Sequence, residues 1–148
     1  MARIILFLCM IILTSCFSLD LKSDIPEVVQ DKFRTLYPKA DVPVWEFENG
    51  RYEAFVIIED IETSVIFLPD GTLYQTETRM DPDLLPPAAR EYLMQNAAKT
   101  KIDESDKITK ADGTILYKAS VGKLVYLFDA GGEFIAVAEE DKDEPKLQ

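Results

Sequence analysis

The chain has 148 residues and sets 27 acidic side chains against 16 basic ones, a formal net charge of −11 with no histidine. That balance argues against nucleic acid as a partner, because phosphate binding needs a basic face and no Lys/Arg cluster supplies one. Without histidine, Ser-His and Cys-His nucleophile activation, imidazole acid–base work and His-bearing zinc sites are excluded together.

The chain opens on Met1-Ala2-Arg3 and then an unbroken apolar run from Ile4 to Leu13. The run is too short for a membrane-spanning helix, which needs about 20 residues, and reads as a signal peptide over 1–15 that is removed during export. Leu13-Thr14-Ser15-Cys16 resembles the bacterial lipobox, so Cys16 is expected to carry a lipid and to begin the mature protein, with 16–23 as a tether. Ordinary cleavage just beyond Ser15 is the alternative. Cys9 falls in the discarded run, which leaves Cys16 as the only thiol and allows no intramolecular disulfide. The acidic body would be repelled by anionic lipid, so membrane association is expected only through the anchor.

Ile25, Val28, Val29, Phe33, Leu36 and Tyr37 recur at helical spacing behind Ser23 or Asp24 as a cap, and Pro38 ends the segment. Strands are expected at 44–48, 51–59, 63–68 and 73–80, with Asn49-Gly50 as a tight hairpin and Pro69-Asp70-Gly71 as a turn. A second helix follows Asp83 as cap, with Pro86-Pro87 at its start and Leu85, Ala88, Ala89, Tyr92, Leu93 and Ala97 as its stripe. Lys99 to Asp106 reads as a polar connector. Four more strands are expected at 107–111, 114–121, 124–128 and 134–138. The charged residues from Glu139 to Gln148 read as a disordered tail.

The chain is written twice. Arg51-Tyr52-Glu53-Ala54-Phe55-Val56 recurs as Leu116-Tyr117-Lys118-Ala119-Ser120-Val121, and Phe67-Leu68-Pro69-Asp70-Gly71 recurs as Phe128-Asp129-Ala130-Gly131-Gly132. The fold expected is α+β: two tandem helix-plus-four-strand repeats, 24–80 and 81–138, forming a continuous antiparallel sheet with both helices on one face. The stretches 33–40, 45–56, 67–71 and 117–132 resemble the PepSY-like domain of exported bacterial proteins, whose duplicated form is similar to the beta-lactamase inhibitor protein. The resemblance implies a non-catalytic binding module of the cell envelope, of peptidase-inhibitor or protein-interaction type. The signal peptide and the lipobox-like end give the expected address, the periplasm or outer membrane as a lipoprotein, with a soluble periplasmic or secreted protein as the alternative. A small-ligand or cation-binding periplasmic protein is the competing reading.

No enzyme, cofactor or metal site is expected. Glu46, Glu48 and Glu53 at the first hairpin have the period-two spacing of a solvated strand face, and no acidic run has the spacing of a calcium loop. Tyr52, Ala54 and Val56 share one strand face, which is expected to meet the helices, and alternation then sends Phe55 and Ile57 to the uncovered side. Ile66 and Tyr74 are expected beside them, with Trp45 or Phe47 joining at the edge. These six side chains are the candidate partner-binding surface, although core packing is the ordinary role of aromatics at strand spacing. Lys118 and Ser120 occupy the matching outward positions of the second half, so binding is expected to favour the first.

Overall fold

The computed structural model describes residues 25–97 and 101–139. The signal peptide, Cys16, the 16–23 tether, the Ser23 and Asp24 caps and residues 140–148 lie outside the described residues.

Helix α1 (Glu27–Leu36) leads into strands β1 (Val44–Glu48), β2 (Arg51–Ile58), β3 (Ile61–Phe67) and β4 (Leu73–Arg79). A 3-10 turn (Pro82–Leu84) and helix α2 (Pro87–Asn96) follow, then β5 (Glu104–Lys110), β6 (Ile115–Val121), β7 (Leu124–Asp129) and β8 (Phe134–Glu139). All eight strands form one sheet in chain order, and every neighbouring pair is antiparallel. The architecture is α+β.

Pro26 sits at the N-cap of α1 with no side-chain cap bond, and the amide of Gln30 instead donates to the Ile25 carbonyl at 2.9 Å. Tyr37 N–H closes the last turn on the Phe33 carbonyl before Pro38 forces the chain out of helical geometry. The buried stripe is narrower than the sequence suggests: Val29 and Phe33 are enclosed, whereas Val28 and Leu36 are largely exposed. The cap expected at Asp83 for the second helix is corrected: Pro86 is the N-cap of α2 with no side-chain bond, and Asp81 caps the 3-10 turn before it. Asp81 Oδ1 accepts the Asp83 backbone N–H at 2.9 Å and organises the 3-10 turn, and Pro86 then opens α2.

Asn49 and Gly50 have φ of 50° and 76°, the left-handed pair that a two-residue hairpin requires. The β2–β3 hairpin uses Glu59 and Asp60 in the same way, at 52° and 66°. The expected connector over 99–106 is corrected in part, because Glu104, Ser105 and Asp106 are the first residues of β5 and pair with β6. Pairing also reassigns Glu139 from the tail to β8, where it lies opposite Leu124.

Two apolar clusters form the core. Val29 and Phe33 of α1 pack on Ala54, Val56, Val65 and Phe67. Leu85, Ala89 and Leu93 pack on Ala119, Val121, Tyr126 and Phe128. The register carries a single face from Val65 through Thr76 and Thr109 to Ile115 of β6, the face of Tyr117 and Ala119, so both clusters lie on the same side of the sheet.

Candidate functional site

The opposite side of the sheet carries no helix among the described residues. Its side chains follow from alternation: Val44, Glu46 and Glu48 on β1, Arg51, Glu53, Phe55 and Ile57 on β2, Glu62, Ser64 and Ile66 on β3. It continues through Gln75, Glu77 and Arg79 on β4, Glu104, Asp106 and Ile108 on β5, and Leu116, Lys118 and Ser120 on β6. Val125 and Leu127 on β7, with Ala136 and Ala138 on β8, complete it.

Of the candidate surface residues, Phe55, Ile57 and Ile66 come together on this helix-free side. Ile57 is 52 % exposed, and Phe55 and Ile66 are half-buried. Tyr74 sits at a bulge where β4 fits one more residue than β3, and the Arg51 guanidinium lies 4.1 Å from its ring centroid. Its ring is therefore already occupied by a cation.

Trp45 and Phe47 do not join them. Opposite Ala54 and Tyr52 in the register, both fall on the helix side of β1. Trp45 meets Phe33 edge-on at 5.6 Å and Phe67 at 6.2 Å, so it closes the first core cluster, while Phe47 rests on Tyr52 at 4.6 Å. The physical reason is parity, since a two-residue turn places each residue of β1 on the same side as its partner in β2.

The centre of the face is ionic, which the sequence did not reveal. Lys118 Nζ contacts Glu77 Oε2 and lies 3.5 Å from Asp106 Oδ2. Arg79 reaches Asp106 and Glu104 at 3.1 Å each and Glu62 at 3.6 Å. Four carboxylates thus surround two cations. Burial pushes the Asp106 carboxyl above its ordinary value, outweighing the pull of Lys118 and Arg79, and the Glu77 charge adds to the rise. Burial alone would lower Arg79, but Asp106, Glu104 and Glu62 together raise it. At the rim, burial and then the Glu48 charge raise Glu46. The only sequence cue was period-two charge in Glu77 and Arg79; the network appears once β4 is paired to β5.

This face has apolar flanks and a polar middle. The second half contributes Leu116, Val125 and Leu127, so apolar surface is not confined to the first half as the outward Lys118 and Ser120 suggested. Among the described residues, no group of three or more His, Cys, Asp or Glu side chains is placed to hold a metal ion. No helix among them is long and apolar enough to cross a membrane.

The same arrangement of helices and sheet occurs in solved proteins of Bacteroides. A BLIP-like protein of Bacteroides fragilis superposes with a TM-score of 0.60 at 22 % identity, over 82 % of this chain and 92 % of its own. The fold is BLIP-like. A DUF2874 family protein of Bacteroides uniformis superposes on this chain with a TM-score of 0.70, at 20 % identity over 77 % of this chain and 88 % of its own. A proposed periplasmic protein of Bacteroides eggerthii matches at 0.69 with the same identity and coverage. No family model matches the chain, so the PepSY-like resemblance is not confirmed, and no curated protein matches it.

Proposed function

We propose that the chain is a non-catalytic binding module of the bacterial cell envelope that holds a partner protein against the helix-free face of its sheet. The observation that carries this reading is the sheet face that bears no helix among the described residues, with Phe55, Ile57 and Ile66 beside an ion-pair centre. Exposed apolar side chains framed by polar ones are what a protein contact desolvates. A peptidase restrained without catalysis is the kind of partner that the PepSY-like resemblance implies, and the BLIP-like fold supports a binding role.

The proposal includes an origin by duplication, with 24–80 and 81–138 as copies. Its support is the recurrence of Phe67 and Gly71 as Phe128 and Gly132, each Phe fully buried and each Gly at positive φ. It also includes export, with Cys16 as the lipid attachment point. The Leu13-Thr14-Ser15 approach and the proposed periplasmic relative support that address. Cys16→Ala should release the protein from the membrane fraction or block its processing; unchanged partitioning would remove the anchor from the proposal.

A small-ligand reading is favoured by one observation, a groove of about 400 Å³ between the end of α1 and β1, lined by Phe33, Arg34, Tyr37, Pro43 and Trp45. One experiment separates the two. Envelope protein captured by the wild-type chain should be lost with Phe55→Ser/Ile57→Ser and retained with Tyr37→Ala, folding being checked through Trp45 emission. Capture that survives the first variant would remove the sheet face from the proposal, and a small envelope metabolite that co-purifies with the wild type and is lost with Tyr37→Ala would move the function to the groove.

A further inference from the structure

β8 is the last strand of the sheet, and all six of its residues are exposed. The two ends of the sheet are built differently. β1 is five residues long, follows Pro43 and carries Glu46 and Glu48, the devices that keep an edge from pairing. β8 runs Phe134-Ile135-Ala136-Val137-Ala138 with neither a charge nor a proline before Glu139. It is also held in place: the Phe134 ring stacks on Tyr92 of α2 at 4.5 Å with the planes 7° apart, and meets Phe128 edge-on at 6.2 Å. An edge anchored in this way offers a preformed row of N–H and C=O groups about 20 Å long.

Charge decides what fits there. Glu133 and Glu139, both exposed, bracket the apolar stretch. A second copy is a poor occupant, because a two-fold axis at Ala136 would set Glu133 of each chain opposite Glu139 of the other, between bodies that each carry a net charge of −11. We propose that β8 is a docking strand that takes an extended segment of another protein by strand addition, the segment having an apolar β-forming centre closed by Lys or Arg at both ends. Ala136 and Ala138 leave room for bulky residues of that segment on the helix-free side. The inference does not depend on the function proposed for the sheet face: the segment pairs with the free edge of β8 and meets that face only at Ala136 and Ala138, far from Phe55 and Ile57 in the strand order.

The test uses the full chain and two synthetic peptides of alternating Val and Thr, one closed by Lys at each end and one by Glu. The Lys-closed peptide should slow amide exchange within 134–139 while leaving 44–48 unchanged, and should bind at least ten-fold more tightly than the Glu-closed one. Glu133→Lys/Glu139→Lys should reverse that preference, and Phe55→Ser/Ile57→Ser should leave it intact. Equal binding of the two peptides, protection at 44–48, loss of binding in the Phe55/Ile57 variant, or a dimer of the chain alone that protects 134–139 would each overturn the proposal.

Discussion

Gly132 lies directly against Ala89: a methyl group at position 132 would sit 2.8 Å from the Ala89 backbone nitrogen and 2.7 Å from the Pro86 Cβ. The β7–β8 turn therefore packs against the start of α2, on the Pro86 ring and the Ala89 backbone. Gly71 approaches α1 in the same way, with a methyl placed 3.0 Å from both the Val28 carbonyl oxygen and its Cγ2.

These contacts rank three substitutions. All three glycines have positive φ, 76° at Gly50, 83° at Gly71 and 90° at Gly132, so alanine adds about 1 to 2 kcal/mol of backbone strain at each. Gly50 meets nothing beyond that. Gly71→Ala adds a collision that Val28 can relieve only in part, and Gly132→Ala forces backbone apart, for a further loss of about 1 to 3 kcal/mol. Urea midpoints should fall in the order Gly50→Ala, Gly71→Ala, Gly132→Ala, and equal losses at Gly50 and Gly132 would show that helix and turn are not in contact.

Phe67 and Phe128 are fully buried, one in each apolar cluster. Truncation of either to Ala should cost about 3 to 5 kcal/mol, measured by chemical denaturation. A loss below about 0.5 kcal/mol, within the range of a surface change, would contradict the inward placement.

Trp45 is the only tryptophan of the chain and belongs to the core, not to the contact surface. Its emission should be blue-shifted in the folded protein and should not move when a partner covers the helix-free face. Trp45→Ala should destabilise by on the order of 3 kcal/mol through lost packing on Phe33 and Phe67.

Asp106 sets a pH dependence of definite sign. Its carboxyl is raised in the folded protein above the ordinary 3.8, so the folded state holds this proton more tightly than the unfolded one. The stabilisation this gives is complete below the unfolded value and is lost as pH rises through the folded value. Asp106→Asn should therefore match or exceed the wild type at neutral pH, and the wild type should gain on it as pH falls toward 3.8. A large deficit of the variant at neutral pH would mean that Arg79 and Lys118 need Asp106 more than its burial costs.

Local signals carried most of the fold. Asn49-Gly50 announces its hairpin by chemistry, and the alternation of Tyr52, Ala54 and Val56 correctly sends Phe55 and Ile57 outward. The turn expected between 59 and 63 lies at Glu59-Asp60 instead, because Asp60 is the one usual left-handed turn former there and, with no glycine to mark the turn, the apolar run before it reads straight on into Glu59. The start of β5 was hidden because Glu104, Ser105 and Asp106 are polar yet half-buried or buried, satisfied by groups on distant segments. Ser105 Oγ donates to the Met80 carbonyl at 2.8 Å, and the Met80 amide donates back to Ser105 at 2.9 Å. No local pattern encodes partners that meet only when β4 pairs with β5. The same non-locality hides the ionic centre of the candidate site, and the edge position of Trp45 gives no sign that its pairing with Ala54 turns it inward.

A sheet whose strands pair in chain order is assembled from contacts close along the sequence, a low contact order for a protein so rich in strands. Six of its seven pairings close across a short turn, whereas β4–β5 must wait for the intervening α2 segment to be brought around. Each helix with its own four strands can collapse early, and the seam between β4 and β5 should zip afterwards. Ser105→Ala, which removes a hydrogen bond across that seam worth about 1 kcal/mol, should then speed unfolding while leaving the folding arm of the chevron unchanged. A slowed folding arm would place the seam in the nucleus.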